Sequence, residues 1–357
     1  MDIPEYTVIL YDLSNQPIMD ISKFVNIKLN LKLNNVSTVS FTIDTLLLER
    51  LCASVGTTPR QVLYPAKTEL KVYRNNLLKF GGIVSSVNTE YSENGSTISV
   101  SADSYIQYFA KRFIKKTYTS TDRSAIAWDA INTVQSVTNG DLGVTQGTLA
   151  TIYSSDLTAD YQDVKSIIMN YTTYAPTTYD FEITPDKVFN TYTRIGSDKP
   201  EIELVYPQNI VSIKVPRSSD TLYNKIIGIG SGIGVERLES IKQDAISQLT
   251  YRVQESKQLF NSVSDQTTLD HNTDGILVQS LGVLELPSVV INGSLIDDFD
   301  NLIIGDAVTV RIDGSTMCDD VNGLYRIYSM DIQVSENNQE QISLSFYNPD
   351  SGGEINQ

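Results

Sequence analysis

The clearest pattern in the chain is "NIKLNLKLN", where Ile27, Leu29, Leu31 and Leu33 alternate with Lys28, Asn30, Lys32 and Asn34. A period of two puts the aliphatic side chains on one face of an extended segment and the polar ones on the other. The stretch therefore predicts a strand with one face buried. "YTVILYDL", "STVSFTID", "TELKVYRNN", "LLKFGGIVSSVNTEY" and "STISVSADSY" are short and rich in β-branched and aromatic residues, and they predict strands too. Asn75-Asn76 and Asn94-Gly95 stand where tight hairpins need residues that tolerate positive φ. "TLLLERLCASVG" interrupts the series with a helix that stops at Gly56. Six strands in roughly 100 residues predict a small sandwich or barrel.

After "YIQYFAKRFIKK" the period changes. "TDRSAIAWDAINTVQSV" spaces Ile126, Trp128, Ile131 and Val134 as a helix does, with Thr121 or Asp122 as N-cap and a stop at Asn139-Gly140. "TADYQDVKSIIMNYTTY" predicts a second helix, capped by Thr158. Strands resume at "YDFEIT" and "VFNTYTRI" around the turn "PDK", which makes 115–210 a separate mixed α/β lobe. From "NIVSIKVPR" the chain is β again, through "YNKIIGIGSG", "GVLELPSVVING", "DAVTVRI", "GLYRIYSMDIQV" and "QISLSFYNP". One long helix is expected over about 236–260, where Leu238, Ile241, Ala245 and Leu249 form a stripe. The expected organisation is thus a β domain over 1–114, the lobe over 115–210, a second β domain over 211–350 and a flexible tail over 351–357. The first and third parts share antiparallel strands with one helical insertion, a sign of duplicated architecture without a repeat at residue level.

A length of 357 residues with 41% hydrophobic residues supports two or three packed domains. A net charge of −16 argues against gripping nucleic acid through its phosphates, since that binding is driven by Lys and Arg. The acidity is uneven: 1–114 holds 11 basic and 10 acidic side chains, 211–357 holds 9 and 21. Cys52 and Cys318 lie far apart in unrelated surroundings and predict free thiols, neither a disulfide framework nor a zinc site. The N-terminus lacks a basic leader, and no apolar run reaches membrane-spanning length, so no export signal is expected.

The candidate chemistry is thin. "NKIIGIGSGIGVER" places Gly228, Gly230, Gly232 and Gly234 at alternate positions, but Ile233 stands where the dinucleotide fingerprint needs its third glycine. No Gly-Lys-Ser/Thr closes it as a phosphate loop would require. It reads instead as the first strand of a second barrel running into a flexible crossover. His271, the single histidine, sits beside Asp270 in a polar stretch with no nucleophile signature, as a solvated histidine does. Asp297, Asp298 and Asp300, or Asp319 and Asp320, could gather oxygens around calcium, but neither group fits the twelve-residue loop pattern. Neither catalytic residues, nor a cofactor, nor a resident metal is expected. Tyrosine is unusually common, with 20 residues against 10 phenylalanines. Exposed rings could stack on sugars and half-buried ones could pack strands, and the count alone favours neither.

Four segments, in order, resemble the baseplate hub, or tail-tip hub, proteins of phage tails and related contractile injection systems. "ELKVYRNNLLKFGGIVSSVNTEY…STISVSADSYIQYFAKRFI" is similar to that family's first barrel, "NKIIGIGSG" with "QDAISQLTYRVQESKQLF" to its strand, Gly-rich loop and helix, "LIIGDAVTVRI" to its Gly-Asp strand entry, and "LYRIYSMDIQVSENNQEQISLSF" to its closing hairpin. The motif positions so implied are Gly81, Gly82, Tyr105, Arg112, Gly228, Gly230, Tyr251, Arg252, Gly305, Asp306, Tyr325 and Arg326. The family often has Tyr-Gly-Arg where this chain has Tyr251-Arg252-Val253. The resemblance implies two tube-type antiparallel β-barrel domains plus a mixed α/β lobe, a fold mainly β with an α+β insertion. It implies a structural virion protein, not an enzyme: a homotrimer that closes the tail tube, adapts its six-fold symmetry to a three-fold tip and forms part of the DNA ejection channel. The implied partners are a tail-tube or distal tail protein above and a spike, tip or fibre protein below. DNA passes without specific binding, the assembled tip touches the host membrane transiently, and assembly takes place in the host cytoplasm. The sequence ends at "NPDSGGEINQ", so the lytic or fibre extensions of some relatives are not expected of it. The competing reading from the residues themselves is a tyrosine-rich module that binds cell-surface glycans.

Overall fold

A computed structural model describes residues 4–347, apart from 94, 173–178, 262, 282–286, 294–295, 297–298, 315–320 and 336–338. The chain begins with strands β1 (Tyr6–Tyr11), β2 (Pro17–Ile21), β3 (Asn26–Lys32) and β4 (Thr38–Asp44). Helices α1 (Thr45–Ser54) and α2 (Pro59–Val62) follow, then strands β5 (Glu69–Arg74), β6 (Leu77–Ser92) and β7 (Gly95–Ser104). The period of two is realised: Ile27 and Leu29 are buried while Lys28 faces water. Asn75 and Asn76 both adopt positive φ, +49° and +64°, and join β5 to β6 as the sequence predicts. Asn94 lies outside the described residues, but Ser92 pairs with Gly95 across the second hairpin. Asp44 starts α1 by accepting the Leu47 amide at 2.9 Å, and Gly56 ends that excursion at φ +72°.

A 3-10 turn over Tyr105–Lys111 leads into β8 (Phe113–Asp122), α3 (Arg123–Gln135), β9 (Thr145–Leu149), β10 (Ser154–Asp163), α4 (Val164–Asn170), β11 (Asp180–Ile183) and β12 (Val188–Tyr192). Asp122 caps α3, and Ile126, Ile131 and Val134 bury their side chains in a core of the lobe's own. The second helix starts later than predicted. Thr158 lies within β10, held extended against Thr117 of β8, and Asp163 is the cap, accepting the Ser166 amide at 2.8 Å. β9, β12 and β11 form a second small sheet beneath the helices.

The rest of the chain returns to the large sheet. Strands β13 (Asp198–Tyr206) and β14 (Ile210–Lys214) come first, and an inserted lobe follows: β15 (Lys225–Ile229), β16 (Glu239–Gln243), α5 (Ala245–Tyr251), β17 (Glu255–Leu259) and α6 (Gln266–Ser280). The chain then closes with β18 (Ser288–Ile291), β19 (Ala307–Ile312), β20 (Asn322–Ser335) and β21 (Glu340–Tyr347). β20 pairs with β3 from Ser329↔Lys32 to Ser335↔Asn26, and this ladder joins the two β parts into one 13-stranded sheet. A single apolar core follows it, from Leu10 and Phe41 through Ile332 to Leu344. β13 lies beside β14, so this half curls back on itself. Among the described residues of the large sheet one pairing departs from the all-antiparallel expectation, β13 running parallel to β19, and β15 also runs parallel to β17 in the inserted lobe.

The long helix expected over 236–260 does not form. The segment is strand, short helix and strand, because β15 sits between β16 and β17 and takes both of its ladders from this segment. The stripe is not a buried face either, since Ile241 and Leu249 are exposed. β15 is therefore the centre of a separate three-stranded sheet and not the first strand of a second barrel. The long helix of this region is α6, over the polar stretch that contains His271.

Candidate functional site

Half of the motif positions gather at joints between the parts of the chain. The first joint involves Gly305, Asp306 and Arg326. Arg326, on β20, pairs with Asp180 of β11 and donates to the carbonyls of Gly305 at 2.9 Å and Ile195 at 2.8 Å. Asp180 also accepts from Asn34 Nδ2 at 2.7 Å, and Asn34 Oδ1 accepts the Phe181 amide at 2.9 Å. Three regions of the chain thus converge on one buried carboxylate. Asp306 accepts the amides of Ser197 and Ile303 and pairs with Lys199 at 2.9 Å. Gly305 takes φ +95° with its α-carbon against the Ile195 carbonyl, where an added Cβ would come within 2.6 Å. Glycine is required here by both conformation and space.

Gly81, Gly82 and Tyr105 mark the second joint. A Cβ on Gly81 would meet the main chain of Pro185 at 2.8 Å, so the β11–β12 turn rests directly on β6. Lys187 from that turn pairs with Glu69 at 2.8 Å, and Lys71 pairs with Asp186 at 2.6 Å. The Tyr105 hydroxyl donates to Glu69 at 3.3 Å beneath the Lys187 ammonium. Burial, reinforced by the Glu69 charge, pushes the Tyr105 phenol up. Gly82 packs against the main chain of Asp103 across the ladder. An apolar cleft of about 330 Å³ opens where the joints meet, lined by Leu33, Phe80, Phe181, Ile195, Phe299 and Met330.

Sequence reasoning missed the third joint. Arg74 of β5 forms a two-pronged pair with Glu340 of β21, both bonds 2.8 Å, and binds Asp300 as well. The side chains of Arg74 and Glu340 are only 4% and 2% exposed. The Tyr6 hydroxyl donates to the same Glu340, and burial raises its pKa further than the Glu340 charge does. Burial pushes the Asp300 carboxyl up, but the bonds from Asn75 and Arg74 outweigh that and hold it below the usual carboxylate range. Partners more than 220 residues apart leave no local signal in a sequence.

The remaining positions serve within single parts. Arg112 closes the C-terminal end of α3, donating to the carbonyls of Val134 and Gly140 and to Tyr108 Oη, a cation where the helix dipole favours one. Gly228 lets β15 press on Thr273 of α6, and Gly230 packs on Leu238. Arg252 ends α5 at φ +63°, its carbonyl held by Asn224 at 2.6 Å, and the Tyr251 carbonyl accepts from Gln254. Tyr325 packs on Phe346 with ring centres 6.1 Å apart. The Gly-rich stretch is thus a packing joint.

His271 is exposed on α6, while Asp270 accepts from Ser240 and Gln266. Of the calcium candidates, Asp300 is committed to Arg74 and Asn75, and Asp297, Asp298, Asp319 and Asp320 lie outside the described residues, as does Cys318. Among the described residues no cluster of three or more metal-ligating side chains forms. Exposed tyrosines occur on separate elements, Tyr64 before β5, Tyr91 on β6 and Tyr161 on β10.

No family model matches the chain, and no curated protein matches it. Solved structures do. A tail protein from Neisseria meningitidis is similar at 12% identity, with a TM-score of 0.68 over 97% of this chain and 98% of that one. The 43 kDa tail protein of prophage MuSo2 from Shewanella oneidensis is similar at 11% identity and a TM-score of 0.68, over 97% and 99%. A type VI secretion component of E. coli, described as structurally similar to the T4 tail proteins gp27 and gp5, matches at 10% identity and a TM-score of 0.53, over 94% and 76%. The chain therefore shares the β-rich fold of these tail proteins along almost its whole length.

Proposed function

We propose that the chain is a structural subunit of a phage tail, a hub that assembles as a homotrimer and closes the tail tube at its tip. The observation that carries this reading is the β3–β20 ladder, which joins the β part of 1–114 and the β part that follows the lobe into one sheet with one core. Three such chains offer six tube-type units in a ring, continuing a six-fold tube above while keeping three-fold symmetry for a spike, tip or fibre protein below. In this reading 1–114 supplies one tube-type domain and the strands of 198–350 that join the large sheet supply the other, with the lobe over about 115–195 placed between them and the β15–α6 lobe inserted in the second. The net charge of −16 suits a channel that DNA must traverse without being retained. The site of action is the virion tail, with assembly in the host cytoplasm, and the joints are architectural and not catalytic.

Light scattering of the purified chain over a range of concentrations tests the reading. A species of about three times 39.6 kDa supports it. A chain that stays monomeric at every concentration, and on addition of tail tubes, overturns it.

A further inference from the structure

The large sheet leaves two long stretches of strand edge bare. β5 parts from β6 at Ile83, after which Val84 accepts the Ala66 amide at 2.8 Å and donates to the Thr68 carbonyl at 2.9 Å. From Ser85 to Ser92 the strand pairs with β7 alone among the described residues. Counted back from the turn pair Ser92↔Gly95, the alternation of an antiparallel ladder points the main chain of Tyr91, Thr89 and Val87 to the open side. This edge carries neither proline nor lysine, the usual guards of an unpaired strand. The second bare edge belongs to β14. It pairs with β18, and among the described residues β13 bonds only to the turn before it, the Val205 carbonyl accepting the Asn209 amide at 3.0 Å.

The two edges match in pleat and in charge. Each has a half-covered aliphatic on the core face, Val87 opposite buried Val100 and Ile213 opposite buried Val289, so Glu90 and Lys214 point the other way. No basic residue lies between Lys79 and Lys111, and the β6–β7 tip holds Glu90 and Glu93. No acidic residue lies between Glu203 and Asp220, the stretch that contains β14. The nearest opposing charges are set apart: Lys67 follows Ala66 at the Val84 end of the edge, and Glu203 pairs with Arg311.

We propose that the open edge of β6 pairs, main chain to main chain, with β14 of a second copy of this chain, with Glu90 beside Lys214. The edges lie at opposite ends of the run β14-β18-β21-β20-β3-β4-β7-β6, so the pairing repeats head to tail, as a closed ring requires. This inference rests on the self-assembly proposed above and names the strands that perform it. Main-chain bonds supply the affinity, and the charges select the partner.

Sedimentation equilibrium and hydrogen exchange of the full chain test it. Thr89→Pro removes an outward amide and spares the β7 ladder, so association should weaken by about 10-fold or more at a nearly unchanged melting temperature. Thr89→Val, which keeps the amide, should associate as wild type does. Glu90→Lys and Lys214→Glu should each weaken association by roughly 3- to 10-fold at low salt, and the double swap should restore it. In the assembled wild-type chain the amides of Val87, Thr89 and Tyr91 should exchange about 10-fold more slowly, or slower still, than in the dilute monomer. Equal exchange in the two states overturns the inference and leaves the trimer standing, as does a folded Thr89→Pro chain that assembles as tightly as wild type. Single reversals without effect, or not rescued by the double swap, overturn the pairing with β14. A monomeric wild-type chain removes both proposals.

Discussion

Replacing Arg326 with alanine should cost more than any substitution on the surface. The guanidinium, about 9% exposed, neutralises Asp180 and satisfies two main-chain carbonyls, so its loss strands a buried carboxylate between three regions of the chain. Breaking a buried pair from one side typically costs about 3–5 kcal/mol. Asp180 would still keep the Asn34 amide at 2.7 Å and the Ile195 amide at 2.6 Å, which places the expectation near the lower end, about 3 kcal/mol. Urea unfolding followed by fluorescence would read this as a lower midpoint. The double variant Arg326→Met with Asp180→Asn removes both charges and should lose less than the sum of the two single variants, with a coupling of about 1 kcal/mol or more. A loss below about 1 kcal/mol for Arg326→Ala, or strict additivity in the cycle, would refute the idea that this pair binds the parts together.

Gly81→Ala forces a methyl group to within 2.8 Å of Pro185 and should destabilise by about 1–3 kcal/mol, whereas Gly323→Ala, whose nearest neighbour would be 3.7 Å away, should stay within about 0.5 kcal/mol by the same unfolding assay. The Asp129 and Asp300 carboxyls are both held low: burial opposes this, but bonds from Lys116 and Tyr118 on Asp129, and from Asn75 and Arg74 on Asp300, prevail. Their contribution is present above the unfolded value near pH 4 and lost as pH falls through the lower folded values, so the acid unfolding of Asp129→Asn should be less steep in an ellipticity titration. At the other end, the raised Tyr6 and Tyr105 phenols contribute fully below about pH 10 and lose that contribution above it. Tyr6→Phe should therefore flatten the alkaline decline of the melting temperature, and an unchanged slope would contradict the assignment.

Strands were legible wherever one face is buried, because alternation is written into consecutive residues; β3 shows it in seven. Tight turns were legible through Asn75-Asn76 for the same local reason. The region 236–260 was not, since an aliphatic stripe at helical spacing also fits a strand followed by a short helix. What decides is the Asp244 side chain, which accepts the Ser247 amide at 2.7 Å and starts a new element there, and the two ladders that β15 demands. α6 hid because Gly275 and several polar residues dilute it, although Leu269, Thr273 and Leu277 at spacings of four mark its buried face. The motif glycines and Arg326 were recognisable, but their partners Asn34, Asp180 and Pro185 were not, since each contact spans more than 100 residues.

The central claim is that one chain supplies two tube-type units and three chains close a ring. Image averaging of the assembled particle by electron microscopy tests it most directly. The account predicts a ring with a central channel, six similar lobes around it and a strict three-fold repeat, at a mass of about three times 39.6 kDa. A ring of six chains, or a closed particle without a channel, would contradict it.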